Sequence, residues 1–197
     1  MLVVDHHAAR YALWATFAVG VVAEIVATGR RGGARRPTAP PQDRGTKQVL
    51  VLALVAGLIG GAWLARDLSA LRVGANTWAT YALGLAVLWL GIALRVSAVW
   101  SLGRYFRREV TIEPGQTVHT SGPYRFVRHP AYLGDLLIVF GFVLAWGSWI
   151  AAALGTAVAL AGHIPRIRVE EAALRESLGD DYERYSKQRS RLVPGVW

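Results

Sequence analysis

The stretch that decides the fold is LGDLLIVFGFVLAWGSWIAAALGTAVALA, residues 133–161, which is apolar almost throughout. It is longer than one upright helix needs to cross a hydrocarbon core of about 30 Å, and short for two helices of full spanning length. The residues WGSW, 146–149, are typical of a turn near its middle. The stretch therefore predicts a tight hairpin of two membrane helices.

Three more apolar stretches precede the hairpin, at residues 11–28, 48–65 and 78–100. Each is long enough to cross a bilayer as a helix, and tryptophans stand at both ends of the third, where interfacial aromatic residues are expected. The composition agrees, because 53% of the residues are hydrophobic and only 18% are charged. We predict an all-α integral membrane protein with about five transmembrane helices, the last two forming the hairpin.

The net charge of +9 suits either nucleic acid or the anionic cytosolic face of a membrane. Most of the 22 Lys and Arg residues fall in segments 29–47 and 101–130 and in the tail after residue 161. These segments share one side of the five-helix arrangement. By the positive-inside rule the N-terminus lies outside and the C-terminus in the cytosol, which favours membrane lipids over nucleic acid as partners.

The tail after the hairpin has the signals of a folded helical segment. Pro165 is typical of a helix start, and Gly179 is typical of a helix end. Asp180 and Glu183 then match a capping box that begins a second short helix. We therefore expect a cytosolic C-terminal segment of two helices.

Two charged residues, Glu24 and Arg95, fall inside predicted spans. A charge at full depth costs about 2.5 to 3.5 kcal/mol, so we expect Glu24 to extend its carboxylate toward the interface. For Arg95 two interpretations stay open: it also reaches the interface, or it faces the bundle interior and holds an anionic substrate group. His6 and His7 have no third ligand nearby, and with no cysteine in the chain we predict no metal site.

The chemistry-bearing residues concentrate in SGPYRFVRHPAYLGD, residues 121–135, directly before the hairpin. In the tail, Arg166 and Glu170 share one helix face at a spacing of four residues. Because they lie close to the membrane exit, we expect that face to pack against residues 121–135. We interpret the neighbouring pair Glu171 and Arg175 as ordinary surface decoration, which contributes about 0.3 to 0.5 kcal/mol.

The run GPYR followed by RHPAYLG, and then RIRVEE with GDDYERY, resembles the C-terminal half of the isoprenylcysteine carboxyl methyltransferase family. That family has phospholipid N-methyltransferases among its relatives. The resemblance covers about residues 100–194. It implies a membrane-embedded enzyme that uses S-adenosyl-L-methionine and methylates a lipophilic substrate entering from the bilayer. It also implies that residues 1–100 supply transmembrane helices and residues 101–197 form the catalytic region.

The resemblance implies site residues by position. It makes Arg166 the residue that meets the substrate and Glu170 the helix glutamate that meets the cofactor. The cofactor-binding positions that it implies, with Arg128 added for its charge, are Gln116, Thr117, Val118, His119, Tyr124, Arg128, His129, Pro130, Ala131, Tyr132 and Glu170. The family often has histidine at position 116 and serine at 131, so side-chain contacts there differ in this chain.

The residue types also suit the chemistry. A sulfonium cofactor needs carboxylate or aromatic walls for its positive charge, and a cationic or N–H group for its carboxylate. A carboxylate acceptor is already nucleophilic and needs no base. An amine or hydroxyl acceptor needs one, for which His129 and Glu170 are candidates. The nature of the acceptor stays open at this point.

Two other functions compete with the methyltransferase. An NADPH-dependent membrane reductase is one, because sterol reductases carry a similar Arg-His-Pro-x-Tyr-x-Gly region. The paired Glu170 and Glu171 and the short chain favour the methyltransferase. A non-enzymatic membrane scaffold is the other, and it leaves the polar cluster at residues 121–135 unexplained.

Overall fold

The computed structural model describes residues 2–31, 45–68, 77–106, 115–195 and 197. The long helices are α1 (His7–Arg31), α2 (Thr46–Asp67), α3 (Trp78–Leu102), α4 (Pro130–Ala145) and α5 (Trp149–Gln188). Short 3-10 turns occupy Val3–Asp5, Gly103–Tyr105 and Gly122–Arg125. The predicted all-α class is confirmed. Most of the basic segment 29–47, together with residues 72, 107 and 108, lies outside the described residues.

The hairpin predicted for residues 133–161 is present as α4 and α5, joined by residues 146–148. Ser148 begins α5, because its side chain accepts a hydrogen bond from the Ala151 N–H at 3.1 Å. In the described part of the chain, four helices, α1, α2, α3 and α5, are long and apolar enough to cross a membrane. The 16 residues of α4 extend only about 24 Å, so the first arm of the hairpin is shorter than a full span.

The bundle packs through small residues. On α3 and α4, a Cβ built on Gly91 would lie 2.8 Å from the Gly134 carbonyl oxygen, so these backbones are in direct contact. On α2 and α5, a Cβ on Gly155 would lie 2.6 Å from the Gly57 carbonyl oxygen. Such close approach is how membrane helices gain packing energy without help from the hydrophobic effect. Two tightly joined helix pairs, α3 with α4 and α2 with α5, therefore form the frame.

The prediction that a new helix begins at Pro165 is wrong, because α5 runs through this residue without a break. Proline removes one backbone hydrogen bond, but Ala159 and Ile167 on either side are fully buried in the core, and this packing maintains the helix. The predicted boundary at Gly179 is present: its φ of 52° is left-handed and separates two helical segments within α5. The helical C-terminal segment is thus as predicted, with a different beginning.

The last residues of the chain fold back onto the segment before α4. The Arg128 N–H donates to the Ser190 carbonyl at 2.9 Å, and the His129 N–H donates to the Arg191 carbonyl at 3.0 Å. These bonds form a short parallel bridge at this point of the chain. The C-terminal strap, residues 189–195, thereby fixes the backbone of the Arg-His-Pro motif.

Candidate active site

A cavity of about 400 Å³ lies where the C-terminal ends of α1 and α3 meet the N-terminal ends of α2 and α4, against the middle of α5. We call this cavity the chamber. Its volume is within the range of small-molecule and cofactor sites. Apart from the buried Pro130, every residue predicted for the site lines it: Gln116, Thr117, Val118, His119, Tyr124, Arg128, His129, Ala131, Tyr132, Arg166 and Glu170.

A hydrogen-bonded row joins α4 to α5 inside the chamber. The Tyr132 hydroxyl donates to Glu170 Oε2 at 2.6 Å, and Arg166 Nε donates to the Tyr132 hydroxyl at 3.3 Å. Arg166 is buried, whereas the side chain of Glu170 is 31% exposed and reaches the open space. The helix face shared by Arg166 and Glu170 therefore lies against the Arg-His-Pro motif, and the row presents a carboxylate, a phenol and a guanidinium side by side.

His129 forms part of the chamber wall. Its ring stacks on Tyr132, with centroids 5.5 Å apart and planes 16° apart. Nε2 lies 3.3 Å from Glu171 Oε1, and Nδ1 lies 3.9 Å from Glu170 Oε2. The ring is 4% exposed, so its position is determined by these neighbours. Two stacked rings beside a carboxylate make a wall that favours a cation.

Glu171, behind the chamber wall, is a residue that sequence reasoning misjudged. It is 1% exposed, and it forms ion pairs with Arg128 at 2.8 Å, Arg191 at 3.0 Å and Arg175 at 3.1 Å. The interpretation as a surface pair is wrong because the C-terminal strap covers this face of α5 and buries the carboxylate. These three arginines, together with His129, compensate the desolvation of the Glu171 carboxylate. Glu171 thereby holds both Arg128 and His129 beside the chamber.

His119 lies on the side of the chamber formed by the segment before the motif. Its Nε2 is 2.8 Å from Ser101 Oγ and 3.1 Å from Ser121 Oγ, and its ring meets Tyr124 edge to face. Burial lowers the pKa of His119, so the ring is neutral at neutral pH. Burial, followed by the charge of Glu170, raises the pKa of Tyr124, which therefore stays a phenol. This side of the chamber is polar and uncharged.

The two charges predicted within spans pair with each other. Arg95 donates to both carboxylate oxygens of Glu24, at 3.1 and 2.9 Å, and to Asp135 Oδ2 at 2.7 Å. Glu24 therefore does not reach for the interface, because a guanidinium on α3 compensates its charge within the bundle. Arg95 faces the bundle interior, where its guanidinium is already paired with the carboxylates of Glu24 and Asp135. Asp135 was missed as a site residue, although its carboxylate stands at the start of an apolar run.

The wall contributed by α2 has a different character. Leu50, Val51 and Leu54 line the chamber there, and Val51 is also 50% exposed on the outer surface of the bundle. In the bundle, α1 packs on α3, whereas α2 packs on α5. A chamber lined by apolar as well as polar side chains suits a ligand with a polar head and an apolar chain.

Comparison with known proteins agrees with this geometry. Residues 82–176 match the family model of the isoprenylcysteine carboxyl methyltransferase family. The chain is 31% identical over 157 residues to the protein-S-isoprenylcysteine O-methyltransferase of Schizosaccharomyces pombe, covering 73% of this chain and 66% of that protein. It is 31% identical over 121 residues to the probable protein-S-isoprenylcysteine O-methyltransferase of Oryza sativa subsp. indica, covering 60% of this chain and 63% of that protein.

Among solved structures, that of the eukaryotic intramembrane Ras methyltransferase ICMT matches with a TM-score of 0.60 and 24% identity. The match covers 74% of this chain and 52% of that one, and it shows a shared fold. Apolar helices around a polar chamber thus define an all-α integral membrane protein. The chain belongs to the isoprenylcysteine carboxyl methyltransferase family. It spans about two thirds or less of the length of the relatives it matches.

Proposed function

We propose that this protein is an S-adenosyl-L-methionine-dependent methyltransferase with a lipophilic acceptor. The observation that carries the proposal is the row of Arg166, Tyr132 and Glu170 beside the His129 ring in one chamber. Two further facts support it: the chain's family, and the relatives' names, which describe O-methylation of isoprenylcysteine.

The residues at the polar end fit the cofactor. When bound, S-adenosyl-L-methionine supplies an electrophilic methyl group on a sulfonium cation. Glu170 and the stacked rings of His129 and Tyr132 offer negative charge and π faces to a cation. Arg128 lines the same space with positive charge for a carboxylate, and Glu171 holds it there at 2.8 Å. The chamber's volume of about 400 Å³ suits a ligand of this class.

The residues at the other end fit an amphipathic acceptor. Arg166 contacts both α4 and α2, because its Nε donates to the Tyr132 hydroxyl at 3.3 Å and its Nη1 donates to Thr46 Oγ1 at 3.5 Å. We assign it the task of orienting the acceptor's head group, while Leu50, Val51 and Leu54 take the apolar chain. Holding the two reactants in line and excluding water supplies most of the acceleration in a methyl transfer.

The proposal includes an orientation. We place the N-terminus outside and the C-terminal segment in the cytosol, so that the cofactor enters from the cytosol and the acceptor from the bilayer. Residues 101–197 then carry the cofactor contacts and form the catalytic region. Residues 1–100 supply three transmembrane helices, including the apolar wall.

The direct test is methyl transfer by the purified protein in detergent. Methyl-labelled S-adenosyl-L-methionine is offered with a prenylcysteine carboxylate, a long-chain phenol or phosphatidylethanolamine, and the label in the lipid fraction is measured. We expect label in at least one lipid, and about a hundredfold less with Glu170→Gln. Glu176→Gln, an exposed glutamate on the same helix, is the matched control. Equal transfer by Glu170→Gln and the wild type would contradict the site.

A further inference from the structure

Asp135 on α4 and His163 on α5 face each other at the chamber wall. His163 is fully buried, and its Nε2 lies 3.4 Å from Asp135 Oδ2. Its Nδ1 lies 2.8 Å from the Ala159 carbonyl oxygen. A carbonyl only accepts hydrogen bonds, so Nδ1 must carry a hydrogen. The neutral ring therefore turns a bare, accepting Nε2 toward a carboxylate.

A bare ring nitrogen and an ionised carboxylate both accept, and a hydrogen bond between them requires one added proton. We call the gap between His163 Nε2 and Asp135 Oδ2 the proton slot. Asp135 lines the chamber, whereas His163 stands behind it. Asp135 is three residues after Tyr132 on α4, so the slot lies about 4.5 Å deeper in the bundle than the row that reaches Glu170.

Charged and titratable groups from every surrounding helix face this region. Arg95 donates to Asp135 Oδ2 at 2.7 Å and to Glu24 at 2.9 Å, and the Tyr132 ring meets the His163 ring edge to face at 5.1 Å. Other charged or titratable groups on the chamber wall are Glu24 on α1, Lys47 on α2, Arg95 on α3, Arg128 and His129 before α4, Tyr132 on α4, and Arg166 and Glu170 on α5. Within this hydrogen-bonded trio, Glu24, Arg95 and Asp135 carry one excess negative charge, which a proton in the slot neutralises.

We infer that the proton slot receives the proton of a protic methyl acceptor, and that the acceptor is a lipophilic thiol, phenol, alcohol or amine. This inference rests on the proposed function. In the step, the bond from the acceptor heteroatom to the methyl carbon forms as the carbon–sulfur bond breaks, leaving its electron pair on sulfur. The proton released by the heteroatom passes to Asp135 and is shared with His163.

Charge balance connects the slot to the cofactor. A sulfonium carries one positive charge, and the thioether product carries none. A protic acceptor releases one proton as the sulfonium loses its positive charge. If that proton enters the slot, the total charge of the chamber stays constant during the reaction. A cation bound in the same chamber repels a proton in the slot. If the slot works in this way, the sulfonium cofactor binds with the slot empty and the thioether product binds with the slot filled.

Calorimetry of the purified protein in detergent tests this linkage. S-adenosyl-L-methionine and S-adenosylhomocysteine are each titrated in two buffers of different ionisation enthalpy, which yields the number of protons released on binding. We expect the sulfonium compound to release about one proton more than the thioether. His163→Gln and Asp135→Asn should remove this difference, and His7→Gln, an exposed histidine far from the chamber, should retain it. Binding of S-adenosylhomocysteine verifies that each variant is folded.

The outcomes separate the two proposals. Equal proton release by both compounds in the wild type, or a difference that persists in His163→Gln and Asp135→Asn, overturns the slot while leaving the cofactor site intact. If neither compound binds, the proposed function is contradicted, and so is the inference about the slot that rests on it. The acceptor class has its own test: a long-chain phenol should be methylated in preference to a fatty acid of equal chain length. Preference for the fatty acid overturns that assignment.

Discussion

Tyr132 and Glu170 stand 38 residues apart in the sequence, and a hydrogen bond of 2.6 Å from the Tyr132 hydroxyl to Glu170 Oε2 joins them across α4 and α5. This bond brings the Arg-His-Pro motif and the C-terminal helix into one site. It also positions a carboxylate that is partly exposed to the chamber.

Glu170→Gln keeps the shape of the side chain and removes its negative charge. Because a hydrogen bond to a charged group contributes about 1.5 to 3 kcal/mol, we expect the affinity for S-adenosyl-L-methionine to fall roughly 10- to 100-fold. His129→Ala, which removes the ring stacked on Tyr132, should weaken binding likewise. Calorimetric titration measures both effects, with Glu176→Gln as control. Tight binding by both variants would show that the cofactor lies elsewhere.

Arg166→Ala should separate binding from turnover. Arg166 is assigned to the acceptor, so cofactor affinity should stay close to that of the wild type while the methyl-transfer rate falls about a hundredfold. Arg168→Ala, an exposed arginine two residues further along α5, is the matched control and should retain both. The measurement is a labelled-methyl assay beside a cofactor titration. A loss of cofactor affinity equal to the loss of rate would place Arg166 in the cofactor site instead.

Glu171→Ala should destabilise the protein. The substitution leaves Arg128, Arg175 and Arg191 without their shared carboxylate, and breaking a buried ion pair costs about 3 to 5 kcal/mol. For a chain of this size we expect the melting temperature in detergent to fall by roughly 10 °C. Glu176→Ala should leave it unchanged. A wild-type melting temperature for Glu171→Ala would mean that the strap does not depend on this carboxylate.

The absence of cysteine allows the membrane orientation to be measured with single introduced thiols. Ala8→Cys and Ser177→Cys both lie at exposed positions, near the start of α1 and in the second half of α5. In intact cells, a membrane-impermeant maleimide should label Cys at position 8 and not at position 177. Opening the cells should make position 177 reactive. The reverse pattern would invert the proposed entry side of the cofactor.

The sequence predicted those features that depend on local pattern. Apolar length gave the helices of the bundle, the WGSW turn gave the hairpin, and Gly179 gave the break in α5, because each depends on residues close in the chain. The prediction that residues 116–132 lie close to Arg166 and Glu170 rests on the resemblance and on helical spacing. The structure places these residues in one chamber.

Features that depend on distant partners could not be predicted. Glu171 looks like a surface residue from its local sequence, because it is buried only by the strap at residues 189–195. No hydrophobic periodicity in the sequence indicates that the strap folds back over it. Arg95 and Glu24 looked like isolated charges because their partnership, across 71 residues, is set by how α1 packs on α3. The local preference of proline for a helix start favours a boundary at Pro165, but burial on both sides overrides it and α5 continues.

The measurement that most directly tests the central claim is a thermal shift of the purified full chain in detergent, with S-adenosylhomocysteine and NADPH compared at equal concentration. A ligand at about a hundred times its dissociation constant stabilises the folded state by about 2.7 kcal/mol, which corresponds to several degrees. We predict that S-adenosylhomocysteine raises the melting temperature of the wild type, that Glu170→Gln reduces the shift, and that NADPH has no effect. Stabilisation by NADPH and none by S-adenosylhomocysteine would contradict a methyltransferase and indicate a reductase.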